Sequence, residues 1–123
     1  MALILYVEDD AANRTLVRRV LTAEGHAIAE AGNAQEALEM LNKQTPDLIL
    51  MDINMPEVDG FTLTERIKAN PKWRQVPVIA LTANVMKGDR ERVLQAGCDG
   101  YIQKPIDVDA LPRQIASFLR TSR

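Results

Sequence analysis

Five side chains able to bind a metal or a phosphoryl group each stand just after a short apolar run of the sequence. Glu8 and Asp9 follow one run, and Asp52, Thr82 and Lys104 each follow another. Three carboxylates that share a small pocket repel one another, which raises their pKa unless a cation enters. Oxygen ligands with open positions for water suit Mg²⁺, which takes one or two carboxylates and keeps several waters. If the fold brings these residues together, they predict a Mg²⁺ site.

The same residues suit phosphoryl transfer. A carboxylate can act as the nucleophile and become an aspartyl phosphate, while Mg²⁺ and the Lys104 ammonium neutralise the charge of the transferred group. Asp52 is the best candidate for the nucleophile, because it ends the apolar run LILM and precedes the turn-rich loop 53–60. A zinc site is not expected in a chain with one histidine and one cysteine, and the single Cys98 cannot form an internal disulfide.

The elements that must position these side chains are five strand-sized apolar runs with helical patterns between them. Three of the runs are continuous rather than alternating, which is typical of strands buried on both faces of a parallel sheet. The predicted strands are 3–7, 27–31, 48–51, 78–81 and 100–103. The first predicted helix begins after Asp10 and stops at Gly25, and the second runs from a capping box at Asn33 and Glu36 to before Pro46. The third lies around 61–67 and ends before Pro71. The fourth covers 87–96 and stops at Gly97, and the fifth covers 111–119. Pro112 would interrupt a last helix capped by Asp107, so we expect a later start with Asp109 as the cap.

This order is βα repeated five times. The sequence therefore predicts an α/β fold with a doubly wound, five-stranded parallel sheet, a (βα)5 three-layer sandwich. Right-handed crossovers between parallel strands put the carboxyl ends of all five strands along one edge, where such folds bind their ligands. That edge would gather the five reactive side chains.

The composition bounds the size and class of the protein. The chain has 123 residues, 46% of them hydrophobic, and its 15 Lys and Arg against 17 Asp and Glu give a formal charge of −2. We expect one domain over residues 1–123, with no output domain. Near-balanced charge without a basic block argues against a nucleic-acid or anionic-membrane surface. No apolar run approaches the ~20 residues of a membrane span and no signal peptide is recognisable, so a soluble, cytoplasmic protein is expected.

Four separated islands, YVEDD, MDINMPEVDG, LTA and YIQKP, resemble the receiver domain of two-component response regulators, the CheY-like family. The resemblance covers the whole chain and implies a flavodoxin-like fold. It places the family's acidic pair on Glu8 and Asp9, and its phosphoacceptor on Asp52. The further matches are the turn proline Pro56, the loop glycine Gly60, the hydroxyl residue Thr82, the switch aromatic Tyr101, the lysine Lys104 and, after an expected cis bond, Pro105.

The resemblance also implies a ligand set for Mg²⁺. Asp9 and Asp52 would bind the ion directly, and the backbone carbonyl of Asn54 would be a third protein ligand. Glu8 would act mainly through metal-bound water, and glutamate at this position is an allowed variant in the family. Asn54 and Asn84 occupy positions that tune dephosphorylation in the family, and their polar, uncharged side chains would admit water.

The implied phosphoryl donor is a phosphohistidine on a histidine kinase or a histidine phosphotransfer protein. Once Asp52 is modified, Thr82 would hydrogen-bond one phosphoryl oxygen and Lys104 would pair with another. Tyr101 would then turn inward, which makes a two-state switch driven by a local change of charge. The chain would be a phosphoacceptor that promotes its own phosphorylation and dephosphorylation, not an enzyme acting on a separate substrate.

The implied downstream partner is a protein that binds the face formed by helix 4, strand 5 and helix 5, with no direct contact to nucleic acid or membrane. The resemblance leaves open whether the phosphorylated form becomes a homodimer through that face. It also leaves open whether the chain belongs to a hybrid kinase or to a longer regulator.

Two other functions compete. A haloacid-dehalogenase-like phosphatase also uses an aspartyl phosphate, Mg²⁺, a threonine and a lysine, but that family has a second aspartate two residues after the nucleophile, where this chain has Asn54. The chain also has no room for a cap domain. A pseudo-receiver that docks without metal is the other alternative, and it is disfavoured because no chemical residue is missing.

Overall fold

The computed structural model describes residues 2–55, 59–83 and 89–121. In chain order the elements are β1 (Leu3–Val7), α1 (Ala11–Ala23), β2 (Ala27–Ala31), α2 (Ala34–Lys43), β3 (Leu48–Asp52), α3 (Gly60–Ala69), β4 (Val78–Thr82), α4 (Asp89–Gln95), β5 (Gly100–Gln103) and α5 (Leu111–Thr121). Strands and helices alternate as the sequence predicts. Pro56, Asn84 and the predicted start of α4 at Lys87 lie outside the described residues.

The five strands form one parallel sheet in the order β2-β1-β3-β4-β5. β3 is therefore the central strand, and all of its residues are buried, in agreement with its continuous apolar sequence. The register places Asp52 opposite Leu81 and Thr82 opposite Gln103, so β3 and β4 each continue one residue beyond their apolar runs. This topology confirms the predicted doubly wound sheet of the flavodoxin-like and CheY-like kind.

Alternate residues of the strands face two apolar layers. On β1, Leu5 and Val7 belong to the layer that includes residues of α2, α3 and α4, whereas Ile4 and Tyr6 belong to the layer that includes residues of α1 and α5. The sheet is thus covered by helices on both faces, which completes the three-layer sandwich. Within the described ranges, no helix is both long and apolar enough to cross a membrane.

The ends of α1 and α4 are built as the sequence predicts. The Asp10 side chain accepts hydrogen bonds from the backbone N–H groups of Ala12 (2.8 Å) and Asn13 (3.1 Å), which caps α1 directly after the acidic pair. Gly25 (φ +90°) and Gly97 (φ +101°) take the left-handed conformation just after α1 and α4.

The capping box of α2 differs from the prediction by one residue. Asn33 accepts a hydrogen bond from the Glu36 N–H at 2.8 Å, as expected. The Glu36 carboxylate accepts from the N–H of Gly32 at 2.7 Å, one residue earlier than a standard capping box requires.

The last helix confirms the expected late start but not its cap. α5 begins at Leu111, so Pro112 lies in the first turn, where its missing N–H is tolerated. The capping carboxylate is that of Asp107, which accepts from the N–H groups of Asp109 (3.0 Å) and Ala110 (3.3 Å), so the prediction of Asp109 as the cap was wrong. The turn is joined to α5 by the backbone N–H of Leu111, which donates to the carbonyl of Asp107 at 2.9 Å, whereas Pro112 has no N–H to donate.

Candidate functional site

The carboxyl edge of the sheet brings the three predicted acidic residues together. Glu8 and Asp9 follow the end of β1, and Asp52 is the last residue of β3, the neighbouring strand. Glu8 and Asp52 are buried, whereas Asp9 is exposed. One carboxylate oxygen from each lies within 4.8 Å of the others. This spacing of hard oxygen donors could hold a divalent cation.

Glu8 is held by donors from three directions. Its Oε1 accepts hydrogen bonds from the Tyr6 hydroxyl at 3.1 Å and from Asn13 Nδ2 at 3.3 Å. Its Oε2 accepts from the backbone N–H of Asp10 at 3.3 Å. These contacts fix the buried carboxyl between the end of β1 and the first turn of α1.

Burial shifts the pKa of two side chains in this pocket. It raises the pKa of Glu8 from 4.5 to about 7, and the neighbouring Asp52 carboxyl adds to the effect. Burial also raises the pKa of Tyr6 above its ordinary value, so the Tyr6 hydroxyl stays protonated and donates a hydrogen bond to Glu8. Near neutral pH the Glu8 carboxyl therefore lies between its neutral and ionised forms, and cation binding would favour the ionised one.

Two donors converge on one oxygen of Asp52. Lys104 Nζ lies 2.7 Å from Oδ1, and the backbone N–H of Asn54 donates to the same oxygen at 2.8 Å. The backbone N–H of Lys104 donates to the carbonyl of Thr82 at 2.8 Å, which extends the β4–β5 ladder by one residue. The lysine thus reaches Asp52 across the end of β4. The Lys104–Pro105 peptide is cis, as the resemblance implies.

Asn54 connects the loop after β3 to the end of β4. Its side-chain Oδ1 accepts a hydrogen bond from the backbone N–H of Ala83 at 3.1 Å, while its own N–H is bonded to Asp52. Both bonds orient the backbone that carries the predicted third metal ligand. The role of the Asn54 carbonyl as that ligand stays a prediction.

Gly60 lets α3 begin directly against the backbone at the end of β3. A Cβ at this position would lie 2.8 Å from Ile53 Cα and 3.1 Å from the carbonyl oxygen of Asp52. Both contacts are with backbone atoms, which cannot rotate away. A residue without a Cβ is therefore required here by close packing, which agrees with the loop glycine that the resemblance places at this position.

Thr82 and Tyr101, the two predicted switch residues, lie on neighbouring strands. Thr82 ends β4 and is completely buried. Tyr101 lies in β5 opposite Ala80, is partly buried and packs against the apolar layer of α2, α3 and α4. It also borders a groove lined by residues of α5 such as Gln114 and Phe118. Their coupled movement stays a prediction.

The residues that bond to Glu8, the first of the acidic pair, were not predicted from the sequence. They are Tyr6 and Asn13, which donate to the Glu8 carboxylate, and Arg14. Arg14 Nη1 donates to the backbone carbonyl of Glu8 at 2.6 Å. Tyr6 precedes Glu8 by two positions, so an extended chain places both on one face. Asn13 and Arg14 fall in the first turn of the helix that follows the acidic pair, so their side chains are close enough to reach back to it.

Comparison with protein families identifies the family of the chain. Residues 4–116 match the family of the response regulator receiver domain. The chain belongs to this family. It is therefore a receiver domain of the two-component systems, as the motifs indicate, and its acidic cluster of Glu8, Asp9 and Asp52 could bind a metal.

Relatives support this assignment over nearly the whole chain. The polar-differentiation response regulator DivK of Brucella anthropi is 44% identical over 116 residues, which are 94% of each chain. CheY4 of Vibrio cholerae superposes with a TM-score of 0.90 at 25% identity, covering 96% of this chain and 98% of its own. The receiver domain of the sensor histidine kinase PA1611 from Pseudomonas aeruginosa has a TM-score of 0.87 at 37% identity, covering 97% and 98%. A magnesium ion is coordinated in the active site cleft of that structure.

Proposed function

We propose that this receiver accepts a phosphoryl group on Asp52 from a phosphohistidine of a histidine kinase or a phosphotransfer protein, in a Mg²⁺-dependent reaction. The observation that carries the proposal is the set of groups around Asp52 at the end of the central strand. Lys104 Nζ lies 2.7 Å from Asp52 Oδ1, and two further carboxylates have oxygens within 4.8 Å. This cluster of carboxylates calls for a cation, and the lysine supplies a second positive group.

The donor set fits Mg²⁺. All three side chains offer oxygen, and the exposed Asp9 gives the pocket a side open to water. Asp9 and Asp52 would hold the ion directly, with the Asn54 carbonyl as a third ligand and Glu8 acting through water. When bound, Mg²⁺ would neutralise charge on the phosphoryl oxygens.

In the transfer, an Asp52 carboxylate oxygen forms a bond to phosphorus while the bond from phosphorus to the donor imidazole nitrogen breaks. The electron pair of the broken bond stays on the imidazole. Phosphorylation would remove the carboxylate charge of Asp52 that now pairs with Lys104, and a phosphoryl oxygen would become the new partner of the lysine. The chain itself acts as the phosphoacceptor and not as an enzyme with a separate substrate.

The output would be a change in the protein's own surface. The ends of β4 and β5 are joined by the hydrogen bond from Lys104 N–H to the Thr82 carbonyl, so a shift of the lysine and threonine toward the phosphoryl group would be felt by both strands. Tyr101 lies on β5 opposite Ala80, close to this hydrogen bond between the two strands.

We propose that a downstream protein, or a second copy of the chain, binds the face of α4, β5 and α5. The compartment that we propose is the cytoplasm, where the kinase or phosphotransfer protein would meet the chain.

The test is phosphorylation by a small donor. Acetyl phosphate with Mg²⁺ should add one phosphoryl group to the wild-type chain, detected by intact-protein mass spectrometry, and EDTA should prevent it. Asp52→Asn should abolish the addition. Asp109→Asn makes the same chemical change at an exposed position before α5 and should leave the addition intact.

A wild-type chain that takes no phosphoryl group and shows no Mg²⁺-dependent change in its NMR spectrum would overturn the proposal in favour of a metal-independent docking module. Rapid release of phosphate from a phosphate monoester would overturn it in favour of a phosphatase.

A further inference from the structure

We propose that Arg14 is a positioning residue that holds the acidic pair in the geometry needed for a divalent cation. This inference rests on the Mg²⁺ site of the proposed function. Arg14 lies in the first turn of α1 and offers no ligand atom to a cation, because a guanidinium carries donors only. It acts on the peptide that joins Glu8 to Asp9.

The backbone of Glu8 is held on both sides. Its N–H donates to the carbonyl of Ala31 at 2.9 Å, which extends the β1–β2 ladder by one residue. Its carbonyl accepts from Arg14 Nη1 at 2.6 Å. The carbonyl of Glu8 and the N–H of Asp9 belong to one planar peptide unit, so the guanidinium fixes the plane from which the Asp9 side chain departs. Asp9 is the exposed member of the acidic cluster, so this restraint bears on the ligand with the most room to move.

The guanidinium is itself anchored. Arg14 Nε lies 3.5 Å from Glu30 Oε1 on β2, and only 24% of the Arg14 side chain is exposed. Gly32 leaves the space for it, since a Cβ there would lie 3.3 Å from Arg14 Nη1. A fork of several N–H donors allows arginine to bind Glu30 and the Glu8 carbonyl at once, which the single ammonium of lysine on its flexible stem does less well.

A role in positioning and a role through charge alone predict opposite results. Arg14 is a cation beside a site that would bind a cation, so removal of its charge alone should tighten Mg²⁺ binding. Removal of a residue that orients the ligands should weaken it. Arg18 provides the matched control, because it lies one turn further along α1 and binds the same Glu30 through Nη1 at 2.6 Å.

The experiment measures Mg²⁺ affinity by amide chemical shifts during titration of the full chain, in the wild type, Arg14→Met, Arg14→Lys and Arg18→Met. Urea unfolding in EDTA shows that each variant is folded. We expect Arg14→Met to bind Mg²⁺ about tenfold more weakly than the wild type, and Arg14→Lys to remain about threefold weaker despite its retained charge. Arg18→Met should bind Mg²⁺ as tightly as the wild type or slightly more tightly.

If Arg14→Met or Arg14→Lys binds Mg²⁺ as tightly as the wild type, the positioning role of Arg14 is overturned and the proposed function stands. If Arg18→Met weakens binding as much as Arg14→Met, the effect belongs to Glu30 and the inference is again overturned. A wild-type chain that binds no Mg²⁺ overturns the proposed function and the inference together. Should Arg14→Met fail to fold, Arg14→Lys carries the test.

Discussion

Replacement of Glu8 by glutamine should make the metal-free protein more stable, and the gain should depend on pH. Burial raises the pKa of Glu8 to about 7 in the folded chain, against 4.5 for an ordinary glutamate. Below pH 4.5 the carboxyl is protonated in both states and costs nothing. As the pH rises from 4.5 to about 7, the unfolded chain loses this proton while the folded chain retains it, which favours unfolding. Glutamine has no proton to lose, so Glu8→Gln escapes this penalty.

The size of the effect follows from the two pKa values. Each unit of difference corresponds to about 1.4 kcal/mol, so the advantage of Glu8→Gln should grow by about 3 kcal/mol at most between acid and neutral pH and then level off. Glu8 is only 1% exposed, so solvent screens little of this penalty. The amide oxygen of glutamine can still accept from Tyr6 and Asn13, which now donate to Glu8 Oε1.

The assay is urea unfolding in EDTA at about pH 4.5, 6 and 8, with the free energy of unfolding taken by linear extrapolation. Glu39→Gln on the exposed side of α2 makes the same chemical change outside the site and measures any general effect of the substitution. A difference between Glu8→Gln and the wild type that is the same at all three pH values would refute the reasoning. Addition of Mg²⁺ at about pH 8 should reduce the difference in free energy of unfolding between Glu8→Gln and the wild type. A ligand that binds only the folded state stabilises it, and the wild type, with all three carboxylates, should gain more.

Three further predictions concern packing and titration away from the acidic pair. Gly60→Ala should lower the free energy of unfolding by about 1–3 kcal/mol, because its Cβ would lie 2.8 Å from Ile53 Cα; an unchanged urea midpoint would contradict this. Partial burial lowers the pKa of His26, whose Nδ1 accepts from the Ala2 N–H at 3.2 Å. The wild type should therefore lose stability relative to His26→Gln in thermal melts as the pH falls below 6.5. Burial raises the pKa of the Cys98 thiol to about 11, so iodoacetamide at about pH 8 should modify the native chain at least about a hundredfold more slowly than the urea-unfolded chain.

The fold and the gathering of the acidic residues could be predicted because both follow from one topological rule. Apolar runs of strand length alternate with helical patterns, which implies parallel strands, and parallel strands place their carboxyl ends on one edge. Asp52 and Lys104 are far apart in sequence, yet each ends or follows a strand, and the structure joins them at 2.7 Å. Side-chain identity and strand position were enough for this result.

The details that could not be predicted involve backbone groups as partners. The Glu36 carboxylate accepts a hydrogen bond from the N–H of Gly32, and the Asp107 carboxylate caps the turn before α5. In both cases the backbone donor lies one or two residues from the position that the sequence predicts. A backbone N–H or carbonyl looks the same at every position of a sequence. A backbone group lacks a hydrogen-bond partner within a sheet or helix only where a strand or helix ends. The ends that a sequence predicts are uncertain by a residue or two, so these groups cannot be identified from the sequence.

The Glu8 carbonyl shows why such backbone groups matter for the site. It lies just past the last residue of β1 and just before the capped start of α1. A buried carbonyl in such a gap needs a donor, and Arg14 supplies one from the first turn of the helix that follows. The residue that satisfies this carbonyl thereby sets the peptide plane of Asp9. In the proposed metal site, a donor that satisfies such a backbone group at the end of a strand would therefore help to orient the ligands without touching the metal.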